Sequence, residues 1–379
     1  MPKSVYVHIP FCEQICHYCD FNKVFLKGQP VADYLQALDQ ECRNTVAKVP
    51  PTRIETIYVG GGTPTALNAE QLDTLFKSLN DHFVPRADRI EFTVEVNPGS
   101  IDRKKLEVMK AAGVNRLSIG VQTFDNDLLA GIGRTHKSKD IYHTIELARS
   151  SGFENLSIDL IFGLPKQTVE SFQRTLEETI LLGVEHVSAY SLKVEEKTVF
   201  YNLQRKGKLV LPPEEAEVNM YERLLAAMSG NGYHQYEISN FAKEGYESTH
   251  NLTYWNNEEY YGIGAGAHGY LGAVRTVNAG PLNKYMSLIQ KQGNPYIESH
   301  VVSKNERMEE EMFMGLRKKK GVSKQRFYQR FGVKVEDVFA DPLQQLTKQG
   351  LLKVDGDQIS LTDTGIFLGN EVFEKFLLI

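Results

Sequence analysis

Long hydrophobic runs are absent from this sequence of 379 residues. No stretch approaches the roughly 18 consecutive apolar residues that a membrane-spanning helix needs. The first residues, MPKSVYVHIPF, form a strand-like pattern rather than a signal peptide. Both observations predict a cytoplasmic protein without a transmembrane segment, and they leave a peripheral membrane contact open.

The net charge is small, and cysteine is scarce. The formal net charge is only -5, and the charges are mixed along the chain, which argues against a nucleic-acid binder. We interpret the one basic cluster, MGLRKKKGVSKQRF, as a solvated face. The four cysteines are too few and too unevenly spaced for a disulfide framework, so metal or redox chemistry is the better interpretation.

Three of the four cysteines lie in the stretch HIPFCEQICHYCDFNK, at Cys12, Cys16 and Cys19. They follow the first predicted strand, at the end of a βα unit where parallel α/β folds place ligands. Three thiolates can bind zinc, but neither His8 nor His17 makes a convincing fourth ligand. Three cysteines on a [4Fe-4S] cluster leave one iron free to bind a small molecule.

Short β-rich runs alternate with amphipathic segments of helical period from residue 5 onward, which is typical of repeated βα units and a parallel sheet. Six such units precede a change of pattern, so we predict an α/β fold with a partial (β/α)6 barrel rather than a closed eight-fold one. Gly183 is the predicted stop of the helix VESFQRTLEETILLG. The predicted strands begin at Val5, Ile54, Arg89, Asn115, Asn155 and His186.

The change of pattern divides the chain into three predicted domains. Residues 1–211 form the partial barrel and residues 212–300 a barrel extension that carries HNLTYW. Residues 301–379 form a smaller C-terminal domain in which helices precede a hairpin with its turn at Gly356 and Asp357, an order typical of a winged helix. We expect this domain to pack over the barrel and to help close its cavity.

The order CxxxCxxC resembles that of the radical S-adenosylmethionine (SAM) superfamily, whose unique iron chelates SAM. GGGTPT, VEVNPGS, RLSIGVQTFD, GRTH and SIDLIFGLP resemble motifs of the oxygen-independent coproporphyrinogen oxidase family, over essentially the whole chain. Phe21 stands where the oxidases carry a fourth cysteine, and the oxidases' long N-terminal extension is missing. These departures, with HNLTYW, are similar to the HemW branch of heme chaperones.

The resemblance implies three cofactors: a [4Fe-4S] cluster bound by Cys12, Cys16 and Cys19, SAM, and heme. Carboxylates suit ribose hydroxyls and an arginine suits a carboxylate, although buried acids and a surface arginine would also explain such residues. Asp159 lies inside an apolar run, where burial of an unpaired charge is costly, and this favours a ligand role. The residues that match SAM contacts of the family are Tyr6, Tyr18, Gly61, Gly62, Thr63, Glu95, Gln122, Arg134 and Asp159.

The HNLTYW segment supplies candidate heme contacts at His250, Asn251, Tyr254 and Trp255. An imidazole can ligate iron while its second nitrogen is held by a hydrogen bond, and aromatic rings suit a porphyrin face. The chemistry alone favours a helix cap and a core tryptophan. With the resemblance, heme binding is as good an interpretation as these two structural roles. Other histidines compete for the heme: His8, His136 and His268.

Two functions remain after this comparison of motifs. One is a heme chaperone that passes heme to an acceptor protein of unknown identity. The other is a coproporphyrinogen III oxidase, in which SAM-dependent radical chemistry decarboxylates the substrate's propionates. Phe21 and HNLTYW favour the chaperone, although SAM cleavage stays open, and so does a homodimer.

Overall fold

The computed structural model describes residues 1–378, so Ile379, the last residue of the third predicted domain, lies outside the described part. The strands form one large mixed sheet, a three-stranded sheet and a two-stranded sheet. They are β1 (Ser4–Ile9), β2 (Phe11–Cys12), β3 (Val24–Phe25), β4 (Ile54–Gly61), β5 (Arg86–Val96), β6 (Arg116–Gln122), β7 (Asn155–Phe162), β8 (His186–Ser191), β9 (His234–Glu237), β10 (Asn240–Ala242), β11 (Tyr260–Ile263), β12 (His268–Leu271), β13 (Val274–Asn278), β14 (Tyr296–Val301), β15 (Val322–Ser323), β16 (Leu352–Asp355) and β17 (Gln358–Leu361).

The six predicted strands are present as β1 and β4 to β8, which are parallel neighbours in sequence order. The prediction of an α/β partial barrel is therefore confirmed. A seventh parallel strand, β11, pairs with the free side of β1. The sheet continues antiparallel from β11 through β12, β13 and β14, and from β8 through β10 and β9.

Helices cover the outer side of the barrel and build most of the C-terminal part. Polar N-caps begin several of them, as at Thr168, whose hydroxyl accepts from the Ser171 N–H, and Gly183 ends α6 in the left-handed conformation as expected. The helices are α1 (Val31–Lys48), α2 (Ala69–His82), α3 (Arg103–Ala111), α4 (Asn126–Gly131), α5 (Ser138–Ser150), α6 (Val169–Leu182), α7 (Val199–Arg205), α8 (Glu214–Gly230), α9 (Thr249–Trp255), α10 (Leu282–Gln292), α11 (Lys304–Gly315), α12 (Lys324–Phe331), α13 (Val335–Val338), α14 (Ala340–Lys348), α15 (Asp363–Phe367) and α16 (Gly369–Glu374). None of the helices in residues 1–378 combines the length and apolar character needed to cross a bilayer.

Two large hydrophobic cores stabilise the chain. The first contains buried residues from Val5 to Ile289 and fills the barrel and the space beneath its helices. The second contains buried residues from Met308 to Phe376. The predicted limits at residues 211 and 300 stay predictions, although the second core begins close to the later limit.

The C-terminal helices α11 to α14 precede the hairpin of β16 and β17, whose connection contains the predicted turn residues Gly356 and Asp357. β15 adds a third strand to this hairpin. The domain contacts the barrel extension, because the Ile238 N–H donates to the Arg317 carbonyl at 3.1 Å and the Lys319 N–H to the Tyr236 carbonyl at 3.0 Å. The helix-then-hairpin order of the prediction is present.

Candidate cofactor site

A cavity of about 430 Å³ opens at the carboxyl ends of the parallel strands. Twelve of the sixteen predicted site residues line it, which means that the fold brings together side chains distant in sequence. They are Cys12, Cys16, Tyr18, Cys19, Gly61, Gly62, Thr63, Glu95, Gln122, Arg134, Asp159 and Asn251. Among residues 1–378, no residue that follows Asn251 in the sequence lines the cavity. The expectation that the C-terminal domain helps to close this cavity is therefore wrong.

The loop that carries the three cysteines is fixed at both ends. It leaves β1 through β2, which pairs with β3 on the far side of the loop. The Asn22 side chain donates to the carbonyls of Ala265 at 2.8 Å and Gly280 at 3.1 Å, and the His8 ring donates to the Asn22 carbonyl at 2.7 Å. Sequence reasoning missed Asn22, whose place in the polar run DFNK was its only signal.

The three cysteines are free thiols on the wall of this cavity. Burial raises the pKa of the Cys12 thiol, and it raises that of Cys19 to about 11. Within residues 1–378, no three His, Cys, Asp or Glu side chains converge closely enough to hold a single metal ion. A [4Fe-4S] cluster binds each cysteine through a different iron, and three soft thiol donors on one cavity wall fit that requirement.

The glycine turn after β4 leaves space that no side chain could share. A Cβ on Gly60 would lie 2.7 Å from the Glu95 carboxylate, and one on Gly62 would lie 3.0 Å from the Cys12 sulfur. Gly61 has a φ of 114°, and its Cβ would lie 2.5 Å from the His8 ring. The turn is therefore restricted to glycine by close approach as well as by conformation.

Two buried acids face the cavity. Glu95 accepts from the Tyr58 hydroxyl at 2.9 Å and from the Gly61 N–H at 3.1 Å. Burial, with a contribution from the Asp159 charge, raises the pKa of Glu95 to about 7. Asp159 accepts from the Ser118 hydroxyl at 3.3 Å, and burial raises its pKa as well. The site thus holds two carboxyl groups whose pKa values are raised because little water surrounds them.

Arg134 and Gln122 line the cavity near the carboxyl end of β6. The Arg134 guanidinium donates to the Tyr18 hydroxyl at 3.0 Å and to the Asn97 side chain, and its Nε has no hydrogen-bond partner in residues 1–378. Gln122 has a φ of 66°, a conformation that is costly for a residue other than glycine and is frequent at ligand sites. A Cβ on Gly120 would lie 3.1 Å from the Gln122 amide.

The remaining predicted residues lie outside the cavity lining. Tyr6 stands behind it, where its hydroxyl donates to His8 at 2.9 Å and its ring stacks on Tyr58. His250 is buried and 1% exposed. One of its ring nitrogens bonds the Thr56 hydroxyl at 2.8 Å and the other the Tyr254 hydroxyl at 2.9 Å. Burial lowers the pKa of His250 to about 3, so the imidazole is neutral.

HNLTYW lies in the short helix α9, and a charged side chain contacts each end of that helix. The Glu91 carboxylate accepts from the N–H groups of Thr249 at 2.8 Å and His250 at 3.0 Å, as an acid at a helix N-terminus does. The Trp255 ring at the other end lies 5.1 Å from the Arg317 guanidinium. Asn251 is the member of the motif that lines the cavity.

The C-terminal domain binds the end of α9 with further cations. Arg326 donates to the Asn256 carbonyl at 2.7 Å, and Arg330 donates to the carbonyls of Asn256 at 3.0 Å and Asn257 at 2.9 Å. Lys318 donates to the Asn256 side chain at 2.6 Å, and burial lowers its pKa to about 8. The interpretation of the basic cluster as a solvated face is therefore wrong for Lys318 and Arg326, because both bond Asn256 at the end of α9.

Comparison with known proteins agrees with this geometry. The sequence model of the Radical SAM superfamily matches residues 6–179, and that of the HemN C-terminal domain matches residues 302–368. The heme chaperone HemW of Bacillus subtilis is 54% identical to this chain, over 99% of each. The chain belongs to the HemW family of radical SAM proteins.

Other members of the HemW family and a solved structure extend the comparison. The heme chaperone HemW of Escherichia coli is 35% identical over 99% of this chain and 98% of its own. The structure of coproporphyrinogen III oxidase (HemN) from Escherichia coli has a TM-score of 0.88 at 28% identity, over 99% of this chain and 90% of that one. The radical SAM fold of the HemW-family chain is thereby shown along nearly its whole length.

Proposed function

We propose that this protein is a heme chaperone that binds heme together with a [4Fe-4S] cluster and SAM, and that it transfers heme to an acceptor protein. The observation that carries the proposal is the 54% identity, over 99% of both chains, to a protein named heme chaperone HemW. The cavity supports it, because three thiols and a set of polar side chains line one space.

Cys12, Cys16 and Cys19 are the proposed cluster ligands. When bound, the cluster would supply an iron atom with open coordination for the amino and carboxylate groups of SAM. The Thr63 hydroxyl lies 3.7 Å from the Cys12 sulfur, so the glycine turn and the cysteine loop meet at the proposed site. The free state of all three thiols also favours a reducing, cytoplasmic location, which we propose for the protein.

The proposed SAM contacts have the chemistry that the ligand requires. Within residues 1–378, the Arg134 Nε has no hydrogen-bond partner, and it suits a carboxylate. The glycine turn exposes backbone groups without side chains above them. Glu95 and Asp159 suit hydroxyl and ammonium donors. The full proposed set is Tyr6, Tyr18, Gly61, Gly62, Thr63, Glu95, Gln122, Arg134 and Asp159, of which Tyr6 lies behind the cavity wall.

Heme contact through His250, Asn251, Tyr254 and Trp255 stays part of the proposal, with a condition set by geometry. Both nitrogens of His250 already make hydrogen bonds. Ligation of iron through the nitrogen that faces Tyr254 requires that the tyrosine hydroxyl move away. Asn251 needs no such change, because its side chain lines the cavity.

A coproporphyrinogen III oxidase is the second candidate, and the TM-score of 0.88 to that enzyme favours it. The lower identity, 28% against 54% for the chaperone, weighs against it. Phe21, on the cavity wall and 62% exposed, supplies no thiol at the position where the oxidases carry one. We therefore favour the chaperone. A homodimer stays a prediction, which the mass in solution tests.

Heme transfer is the experiment that tests the proposed function. Heme-loaded protein is mixed with membranes from heme-starved cells, and the cytochrome absorbance that appears is compared with that produced by free heme at the same concentration. We expect transfer to be faster from the wild type, and to fail in Cys16→Ala. Cys42→Ala is the matched control, because Cys42 is buried in the main core away from the cavity. Transfer no faster than from free heme would refute the proposal.

A further inference from the structure

Arg116 begins β6 and its side chain is inside the barrel, where it is only 2% exposed. The small exposed part faces the cavity, next to Ser118, Asp159 and Asn251. A buried guanidinium is costly unless an anion or several acceptors surround it. The buried Arg116 guanidinium therefore requires partners that compensate its charge.

One nitrogen of this guanidinium lacks a partner in the described part of the chain. Within residues 1–378, the Arg116 Nε has no hydrogen-bond partner. The nearby His186 is neutral, because burial and then the Arg116 charge lower its pKa, and both of its nitrogens bond other side chains, those of Ser157 and Tyr236. His250 is likewise neutral and fully bonded.

Asp159 is the carboxylate whose charge Arg116 influences. The two groups make no direct ion pair, since Asp159 accepts from the Ser118 hydroxyl at 3.3 Å. Arg134 provides the cavity's other buried guanidinium, but it already bonds Tyr18 and Asn97 beside the cysteine loop. Arg116 is thus a charged donor at the inner end of the cavity, and within residues 1–378 its Nε has no hydrogen-bond partner.

We infer that Arg116 is a carboxylate receptor, which pairs with a carboxylate of a molecule that enters this cavity. Arginine presents a planar fork of N–H groups that matches a carboxylate in a bidentate manner. Two molecules of the proposed function carry carboxylates, SAM and heme, so the inference rests on that function. The single carboxylate of SAM is already assigned to the cluster iron and Arg134, so a heme propionate is the expected partner and SAM is the alternative that the titrations test. Asn251 lies on the same part of the wall and supplies an amide beside the charge.

The test compares ligands with and without carboxylates. Reconstituted protein is titrated anaerobically with heme and with heme dimethyl ester by Soret absorbance, and with SAM by equilibrium dialysis. Arg116→Met removes the charge at similar volume, and Arg116→Lys keeps the charge without the fork. Arg86→Met is the matched control, because Arg86 is half-buried, bonds the carbonyls of Phe83 and Leu79, and lies outside the cavity lining. Circular dichroism and a urea midpoint show that each variant is folded.

If a heme propionate is the partner, the wild type binds heme about 10- to 100-fold tighter than the diester, as a lost charged hydrogen bond predicts, and folded Arg116→Met loses this preference. If SAM is the partner, Arg116→Met loses SAM affinity by a similar factor while both heme titrations are unchanged. Arg116→Lys retains part of the affinity in either case.

Unchanged affinity of folded Arg116→Met for heme, diester and SAM would overturn the inference and would mean that water alone solvates Arg116. If Arg116→Met does not fold, equal affinity of the wild type for heme and diester, with SAM affinity unchanged in Arg116→Lys, overturns it instead. A wild type that binds SAM but no heme refutes the proposed function, and the SAM titration then decides the role of Arg116 by itself.

Discussion

His250 provides a prediction in which the two roles of HNLTYW give different results. His250→Ala leaves the hydroxyls of Thr56 and Tyr254 without their partner inside the protein. Each orphaned buried group costs about 1–3 kcal/mol. The imidazole also stacks on the Tyr58 ring, with 5.1 Å between ring centroids, and its removal leaves a cavity. The free energy of unfolding should therefore fall by about 2–6 kcal/mol from the two orphaned groups, and by a further amount from the cavity.

This loss is a large fraction of the about 5–15 kcal/mol that stabilises a typical domain. Weaker heme binding by His250→Ala would therefore not distinguish a ligand from a structural residue. Tyr254→Phe is the discriminating variant, because it removes one hydrogen bond, costs about 1–2 kcal/mol, and frees a nitrogen of His250.

The assay is urea denaturation of both variants, followed by a heme titration of those that are folded. If His250 ligates iron in the heme-bound state, Tyr254→Phe binds heme more tightly than the wild type, because no hydroxyl has to leave the nitrogen first. If the imidazole is only a structural connection between β4 and α9, the heme affinity of folded Tyr254→Phe equals that of the wild type. A free energy of unfolding of His250→Ala within about 0.5 kcal/mol of the wild type would contradict a buried, doubly bonded imidazole, since a solvated surface site gives such values.

Three further predictions concern the turn, the core and the domain contact. Gly61→Ala should abolish SAM binding in equilibrium dialysis, because its Cβ would meet the His8 ring, whereas Gly28→Ala, also at positive φ but with open space around it, should retain binding. Burial raises the pKa of Glu41 to about 7 from 4.5. The unfolded chain releases this proton first, so the free energy of unfolding falls as the pH rises between these values. Glu41→Gln should reduce that fall by about 2 kcal/mol between pH 5 and pH 7.5, as measured by urea denaturation. A slope unchanged by the substitution would contradict the assigned shift. Arg330→Met should loosen the C-terminal domain and speed proteolysis before α11, and an unchanged cleavage rate would show that the contact with α9 contributes little.

The barrel was predictable because its signals are local. Runs of β-branched residues with intervening helical periods identify β4 to β8, and Gly183 marks a helix end by its conformational freedom alone. The four-residue strand β11 was not predictable in this way. It lies in an aromatic and glycine-rich region, and its strand character comes from pairing with β1, a contact between residues distant in sequence.

The site was predictable where a motif implied both residue type and position. The cysteine loop, the glycine turn and the polar residues at the strand ends line one cavity, as parallel topology requires. HNLTYW was harder, because its residue types suit a heme contact, a helix cap or a core, and the fold uses His250 in a hydrogen-bond network. Arg116 was missed because a single inward-facing arginine on a strand has no pattern in the sequence.

The contacts of the basic cluster were likewise not predictable from the local sequence. Composition alone cannot distinguish a solvated lysine from one that binds the end of a helix. Lys318 donates to Asn256, and burial lowers its pKa to about 8. That assignment depends on how two distant segments pack, which the local sequence does not contain.

A paired assay on one reconstituted preparation distinguishes a heme chaperone from a coproporphyrinogen oxidase. Heme binding is followed by Soret absorbance, and coproporphyrinogen III consumption is followed in the presence of SAM and a reductant. A heme chaperone should bind heme stoichiometrically without coproporphyrinogen turnover. Turnover of coproporphyrinogen III without specific heme binding would contradict the proposed function and would identify the protein as an oxidase.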